Sequence, residues 1–196
     1  MNTSLGVIRF DTPASVSPAR LGERYDHEAG RWDRTLSRLD FHRAYRRLFR
    51  LADLEGVSTL QPRLLDIGIG TAAAGLSLLA ALRARGRQID TLYGVDLSSE
   101  MLDRASAKLV REDVLLAGSV ADAEALPYTD AFFDVVIAAH VLEHAARPLK
   151  AMAEVDRVLK PGGYAVIMMT RCGPMTVSIQ QRWAIQCARS RKLETV

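Results

Sequence analysis

The chain has few of the residues that build disulfide-rich, metal-binding or membrane-spanning proteins. Its 196 residues include only two cysteines, Cys172 and Cys187, whose spacing fits neither a disulfide framework nor a metal site. No apolar run is long enough to span a bilayer, because the run from Val135 to Leu142 is short and contains His140. The polar N-terminal residues also lack the apolar core of a secretory signal. These absences predict a cytoplasmic protein without a bound metal.

The composition is otherwise that of one globular domain, with 48% hydrophobic and 25% charged residues. The net charge of +3 is too small to indicate nucleic acid, and we expect no such partner. Much of the positive charge lies in one segment, which contains Arg20, Arg24, Arg31, Arg34, Arg38, Arg43, Arg46, Arg47 and Arg50. The solvated face of N-terminal helices is the favoured explanation, and attraction to an acidic substrate or to a peripheral lipid surface is the alternative.

Hydrophobic periodicity divides the chain into four regions. We expect a flexible leader over residues 1–19, a helical lid over 20–55 and a C-terminal helical segment over 171–196, with a helix at 177–187. Between residues 62 and 170, strand-like and helical runs alternate, which predicts an α/β fold with a doubly wound parallel sheet. The predicted strands are Arg63–Ile67, Thr91–Val95, Asp113–Ala117, Phe133–Ala138 and Tyr164–Met169, and the predicted helices between them are Thr71–Arg85, Ser98–Leu109 and Arg147–Leu159.

Three of the predicted strand ends carry residues suited to a nucleotide-like ligand. The run DIGIG (residues 66–70) combines an acid at the carboxyl end of a strand with glycines that let a ligand approach the backbone. Asp96 closes the next strand, where a carboxylate can accept hydrogen bonds from both hydroxyls of a ribose. Asp122 could accept a hydrogen bond from the amino group of adenine, with the amide of Ala123 facing the ring. Residues 68–73, GIGTAA, nearly match the dinucleotide fingerprint as well, so an NAD-dependent oxidoreductase is an alternative.

Taken in order, these segments resemble the class I S-adenosylmethionine-dependent methyltransferases, and more closely the group with ubiquinone/menaquinone-biosynthesis and phospholipid N-methyltransferases. The matching stretches are LLDIGIGTA, GVDLSSEML, ADAEALPY, FDVVIAAHVLEH and EVDRVLKPGGYAVIM, and YDHEAGRWD at residues 25–33 is similar to the family's lid motif. The resemblance implies a Rossmann-like sheet of strand order 3-2-1-4-5 and S-adenosyl-L-methionine as the cofactor. It also implies a small-molecule acceptor, either quinone-like or a phospholipid.

The resemblance also assigns cofactor contacts. They are Asp66, Gly68, Ile69, Gly70, Ala139 and His140 at the methionine half, Asp96 at the ribose, Leu97, Met101, Asp122 and Ala123 at adenine, and Tyr25 closing over the site. Ala72 stands where the family has a third glycine, and we expect a modest loss of fit there. Asp26 and Asp33 are interpreted as surface groups, and Trp32 as a core or lid residue.

His140 and His144 are the candidate catalytic residues. Methyl transfer from a sulfonium mainly requires alignment and exclusion of water, and a general base is needed only when the acceptor carries a proton. An imidazole titrates in the useful range, so either histidine could serve, although local packing is an equal alternative for His144. Glu143 is expected to be a solvated acid.

The C-terminal region departs from the family pattern. Family members usually continue after the fifth strand with a helix and an antiparallel strand pair, for which this chain leaves no room. We therefore expect a sheet whose last strand is an exposed edge, for which a truncated form, a shortened natural variant and a homodimer through this edge are the alternative explanations. The departure also keeps open a second function, in which the protein binds the adenosyl cofactor without catalysis.

Overall fold

The computed structural model describes residues 7–10, 16–52, 54–169 and 188–191, with side chains described within 16–52 and 54–169. In chain order the elements are β1 (Val7–Phe10), α1 (Pro18–Arg38), α2 (Phe41–Leu51), β2 (Leu64–Ile67), α3 (Ala73–Arg83), β3 (Thr91–Asp96), α4 (Ser99–Leu109), β4 (Leu115–Val120), β5 (Phe133–Ala139), α5 (Pro148–Val158), β6 (Leu159–Met168) and β7 (Ala188–Arg191). Single 3₁₀ turns lie at Val110–Glu112 and Leu142–His144.

A five-stranded parallel sheet forms the centre, in the order β4-β3-β2-β5-β6. Counted along the chain from β2, this is the predicted order 3-2-1-4-5, and the Rossmann-like fold class is confirmed. All four residues of β2 are buried because the strand has neighbours on both sides and helices on both faces. The chain leaves β2 towards β3 and later returns to β5 on the other side. This switch point is where open α/β sheets bind their ligands.

Two apolar clusters, one on each face, hold the helices to the sheet. Consecutive residues of a strand point to opposite faces, so Leu64 joins the cluster under α2, α3 and α4, whereas Leu65 joins the cluster under α5. Phe49 of α2 and Phe133 of β5 are among the largest fully buried side chains of these clusters. The two faces therefore have separate cores, as a doubly wound sheet requires.

The segment Lys160–Gly163 lies between the predicted helix Arg147–Leu159 and the predicted strand Tyr164–Met169, but the structure includes it in the strand. These residues belong to β6 but form a bulge, since Leu159 pairs with Phe133 and the next paired residue, Tyr164, stands opposite Val135. Gly162 adopts a φ of +77° there, which few other residues tolerate. The helix before it ends at Val158.

Strand β6 pairs only with β5 among the described residues and is an edge of the sheet. A homodimer through this edge stays a prediction. Outside the sheet, β1 falls within the predicted leader and pairs antiparallel with β7, while the predicted helix at 177–187 lies outside the described residues. Helices α1 and α2 occupy the region predicted to be the lid and are called the lid below. Within the described ranges, no helix combines the length and apolar character needed to cross a membrane.

Candidate functional site

The turn after β2 depends on two glycines with positive φ. Gly68 and Gly70 have φ values of +64° and +52°. A Cβ on Gly68 would lie 2.6 Å from Cγ2 of Val141, closer than such atoms approach. The turn therefore needs glycine both for its backbone conformation and for its contact with the segment after β5.

Ala72 occupies the same kind of conformation without being glycine. Its φ of 63° and ψ of 22° place it in the left-handed region just before α3, and it is fully buried. An L-residue in that region is disfavoured by about 1–2 kcal/mol, which is the physical reason for glycine at this position of the family pattern. The predicted loss of fit thus has a structural counterpart in local backbone strain, whereas its effect on the cofactor stays a prediction.

Asp96 connects the first two strand ends. Its Oδ2 accepts a hydrogen bond from the amide of Gly70 at 2.8 Å, and its Oδ1 accepts one from the amide of Ser98 at 3.0 Å. Burial raises the pKa of Asp96, while the amides of Ser98, Gly70 and Leu97 favour the carboxylate and oppose that shift. Each carboxylate oxygen can accept more than one hydrogen bond, so Asp96 can hold the turn and still meet the hydroxyls of a ribose.

One cavity of about 740 Å³ opens at the carboxyl ends of the strands. Its volume lies within the usual range for small-molecule and cofactor sites. The predicted site residues that line it are Tyr25, Gly68, Ile69, Gly70, Asp96, Leu97, Met101, Asp122, Ala123, Ala139, His140 and His144. The fold therefore brings these residues together around one cavity, while their contacts with a cofactor stay predictions, and one residue predicted to contact the cofactor lies outside the lining.

That residue is Asp66. It is only 1% exposed and faces α3, where a Cβ added to Gly75 would lie 2.9 Å from its Oδ2. Burial raises the pKa of Asp66 well above the usual range for an aspartate. Asp66 therefore supports the turn and the start of α3 from beneath, and its predicted contact with the cofactor stays a prediction.

The lid is tied to the strand-end turns by two carboxylates that were predicted to be simple surface groups. Asp26 accepts hydrogen bonds from the hydroxyl of Ser98 and, at 3.2 Å, from the amide of Glu100. Asp33 accepts a hydrogen bond from the Thr71 hydroxyl at 2.6 Å and one from Lys108. Both carboxylates lie on α1, so that helix is held against the turns that follow β2 and β3.

Lys108 and Thr71 set the charge state of Asp33. Burial alone would raise the pKa of this carboxyl, but the hydrogen bonds from Lys108 and Thr71 hold the pKa below its usual value.

Trp32, the residue before Asp33 on α1, lines the cavity, and a Cβ on Gly70 would lie 3.5 Å from its indole Nε1. The lid therefore contacts the glycine turn directly.

His140 is held in an unusual conformation beside a buried acid. Its φ is 59°, and its Nδ1 lies 3.2 Å from Oε1 of Glu143. Glu143 is 1% exposed and lines the cavity, so the prediction of a solvated acid is wrong. The reason is the 3₁₀ turn after β5, which directs Glu143 inwards. The rings of Phe41 and Tyr45 pack against the His140 imidazole at centroid distances of 4.8 and 6.3 Å.

His144 makes a different contact. Its Nε2 lies 3.0 Å from the hydroxyl of Tyr25 on the lid. Burial lowers the pKa of His144 to about 4 and raises the pKa of Tyr25. The two predicted catalytic histidines therefore have different polar partners, since Nδ1 of His140 lies against the buried Glu143 carboxylate and Nε2 of His144 lies against the Tyr25 hydroxyl.

Several residues of the cavity were not identified from the sequence, among them Leu36, Phe41, Tyr45 and Glu143. Tyr45 is buried and Phe41 is half-buried, as residues of a packed helix face are. What distinguishes them is their position over the carboxyl ends of the strands, which only the fold reveals. Nowhere in the described ranges do three His, Cys, Asp or Glu residues come together as metal ligands.

Comparison with known proteins agrees with this geometry. Residues 65–167, just over half of the chain, match the family described as "Methyltransferase domain". The demethylmenaquinone methyltransferase of Clavibacter sepedonicus is 32% identical over 78% of this chain and 59% of its own length. The 27-O-demethylrifamycin SV methyltransferase of Amycolatopsis mediterranei is 31% identical over 79% of this chain and 54% of its own. The chain thus spans little more than half the length of these relatives.

Solved structures show the same fold. The (4+2)-cyclase SpnF superposes with a TM-score of 0.64 at 22% identity, covering 80% of this chain and 61% of its own. A chain from the complex between the Haloferax volcanii Trm112 methyltransferase activator and a methyltransferase superposes with a TM-score of 0.63 at 25% identity. The match covers 82% of this chain and 66% of that chain. The family match, the strand order and the glycine turn facing Asp96 lead to one conclusion: the chain belongs to the class I methyltransferases, a family whose cofactor is S-adenosyl-L-methionine.

Proposed function

We propose that the protein transfers a methyl group from S-adenosyl-L-methionine to a small molecule with a planar, apolar body, such as a quinone-like acceptor. The observation that carries this proposal is the lining of the cavity, which we divide into two halves by the chemistry of its residues. One half consists of the glycine turn with Asp96 and Asp122, and the other is lined by Leu36, Phe41 and Tyr45. A cofactor and an acceptor need such adjoining halves, because methyl transfer requires the donor and acceptor atoms in line.

The residues of the first half suit the cofactor. Gly68 and Gly70 leave room beside the backbone, and Asp96 offers carboxylate oxygens. The Oδ1 of Asp122 accepts a hydrogen bond from the amide of Glu124 at 2.9 Å, and its Oδ2 can accept one from the cofactor. Aromatic rings and carboxylates also favour a cation such as a sulfonium. When bound, S-adenosyl-L-methionine supplies an activated methyl group on a leaving group that becomes neutral.

We assign His140 the role of the general base that takes the proton of the acceptor. It follows β5, its neighbour Val141 lies over Gly68, and its ring contacts the aromatic half of the cavity. An imidazole that donates from Nδ1 to the buried Glu143 carboxylate leaves Nε2 able to accept a proton. A hydroxyl or acidic carbon acceptor would release its proton to Nε2 as it gains the methyl group, and S-adenosylhomocysteine would leave as the second product.

His144 is assigned to the lid contact instead. Its Nε2 already faces the Tyr25 hydroxyl, and its pKa of about 4 makes it a weak base at neutral pH. We therefore expect His140→Gln to slow turnover far more than His144→Gln does. A base is worth about 10²–10⁴-fold in rate, and an equal loss in the two variants would contradict the assignment.

The test of cofactor binding is calorimetry with S-adenosylhomocysteine. Asp96→Ala should bind it at least tenfold more weakly than the wild type, because both the ribose acceptor and the support of Gly70 are lost. Asp103→Ala, which removes an exposed carboxylate of α4, is the matched control. NAD in place of S-adenosylhomocysteine tests the oxidoreductase alternative.

Binding alone does not establish methyl transfer. The fold is shared with a protein described as a cyclase, so a non-catalytic or differently catalytic cofactor protein is the second candidate. Incubation with S-adenosyl-L-methionine and planar phenolic or quinol acceptors separates the two. Formation of S-adenosylhomocysteine and of a methylated product supports the proposal, whereas tight binding without either product supports the second candidate.

A further inference from the structure

The outer surface of the lid carries a concentrated positive charge. Residues 34–50 contain six arginines and one acid, Asp40, for a net charge of +5, whereas the whole chain carries +3. The rest of the sequence is therefore net negative. All six arginines, which are Arg34, Arg38, Arg43, Arg46, Arg47 and Arg50, are exposed. A basic surface on an otherwise weakly acidic protein indicates an anionic partner for this face.

The arginines of α2 form one stripe. Arg46 and Arg47 follow Arg43 by three and four residues, and Arg50 follows them by four and three. All four therefore lie on the same side of the helix. The opposite side contains the buried residues of α2. Arg43 lies 4.0 Å from Asp40, but both side chains are largely exposed, and such a pair holds its partners weakly. The stripe thus remains available to an external anion.

Exposed apolar side chains lie among these charges. Leu39, between α1 and α2, is 52% exposed, and Leu51 at the end of α2 is 72% exposed. Leu39 also lines the cavity, so the cavity reaches the protein surface beside the basic stripe. Interleaved cationic and apolar side chains are typical of elements that lie in the interface of a bilayer. Nucleic acid would account for the arginines and not for the leucines.

We propose that this docking surface, formed by the six arginines with Leu39 and Leu51, binds an anionic bilayer and sets the mouth of the cavity at Leu39 against the lipid. The cavity then takes its apolar acceptor from the membrane. The origin of the acceptor rests on the proposed function, but the docking itself does not. A protein that binds vesicles without turning over would still satisfy the docking step.

The test uses the full chain and vesicles in a flotation assay. Phosphatidylcholine vesicles with about 30% phosphatidylglycerol should bind the protein, and vesicles of phosphatidylcholine alone should bind it much less. About 1 M salt, which shortens the Debye length to about 3 Å, should release most of the protein. Equal binding to both kinds of vesicle would overturn the proposal.

Variants locate the surface. Arg46→Gln with Arg47→Gln should weaken binding to the anionic vesicles by about tenfold or more, since each arginine contributes separately near an anionic surface. Arg85→Gln with Arg111→Gln removes the same charge just beyond the C-terminal ends of α3 and α4 and should bind like the wild type. Leu51→Ser should weaken binding without changing the charge, because an apolar side chain contributes only if it enters the lipid.

Three further outcomes would contradict the docking proposal. Wild-type vesicle binding by the Arg46/Arg47 variant, equal weakening in the Arg85/Arg111 control, or tighter binding to duplex DNA or polyglutamate than to the vesicles would each overturn the proposal. S-adenosylhomocysteine binding is measured in parallel. All of these variants should retain it, so a loss of docking is distinguished from a failure of the proposed function.

Discussion

His144 should make the stability of this protein fall steeply in mild acid. The folded protein holds His144 as a neutral imidazole, with burial lowering its pKa from 6.5 to about 4. The neighbouring Glu143 opposes that shift, while His140 and Arg24 reinforce it. The unfolded chain has no such restriction and binds a proton at the ordinary pKa. Below pH of about 6.5, the unfolded state therefore takes up more protons, and the free energy of unfolding decreases as the pH falls.

The magnitude follows from the difference between the two pKa values. From 6.5 to about 4, the linkage amounts to about 3 kcal/mol once the pH is below both values. At about pH 5 roughly 2 kcal/mol of this should already be lost, and at about pH 7.5 almost none. For a domain stabilised by about 5–15 kcal/mol, such a loss is large.

The measurement is urea unfolding of the wild type and of His144→Gln at about pH 7.5 and pH 5. Asp66 and Asp96 act in the opposite direction to His144 because burial raises their pKa values. The informative quantity is therefore the difference between the wild type and His144→Gln in how far the free energy of unfolding falls from about pH 7.5 to about pH 5. The wild type should lose about 2 kcal/mol more than His144→Gln over this interval.

The exposed His27 on α1 provides the control for this experiment. His27→Gln should reproduce the pH dependence of the wild type. If His144→Gln keeps the full pH dependence as well, His144 is not held neutral by burial, and the argument that it is too weak a base to take the acceptor's proton fails.

Three further predictions concern the strand-end turns, and urea unfolding measures each. Ala72→Gly should leave the free energy of unfolding within about 1 kcal/mol of the wild type, because relief of the left-handed strain offsets the lost methyl group, while Ala72→Val should cost more than about 2 kcal/mol. Gly75→Ala should destabilise by about 1–3 kcal/mol despite its higher helix propensity, since the new Cβ meets the Asp66 carboxyl at 2.9 Å. Asp33→Asn should cost about 0.5–1 kcal/mol, the modest value of a partly exposed pair with Lys108, and a loss above about 2 kcal/mol would show a stronger contact.

The sheet could be predicted because its signals are local. The apolar runs before Gly68 and before Asp96, with helical periods between them, determine parallel strands and place their ends at one edge. The boundary errors arose where backbone geometry overrides composition. Residues 160–163 form a bulge inside β6, and Asp113, with a φ of 55°, ends a 3₁₀ turn before β4 begins.

The second half of the site could not be predicted because it depends on how distant elements pack. Phe41 and Tyr45 have the spacing of any buried helix face, and the sequence does not indicate that this face covers His140. Glu143 comes shortly after an apolar strand, a position where an acid is usually exposed to solvent. The 3₁₀ turn instead directs its side chain inwards. The burial of Asp66 beneath the turn was equally hidden, since its place at the end of an apolar strand does not indicate how closely α3 packs on it.

The lid and the cofactor site are one assembly, because the residues that hold α1 come directly after those that face the cavity. Thr71 follows Gly70 and bonds to Asp33, and Ser98 follows Asp96 by two residues and bonds to Asp26. A ligand that shifts either turn must therefore shift the anchor of the lid with it. By the same linkage, variants of the lid carboxylates should change cofactor affinity without touching the cofactor. A weakened affinity in such a variant is thus evidence of coupling, and direct contact has to be shown by a residue that lines the cavity.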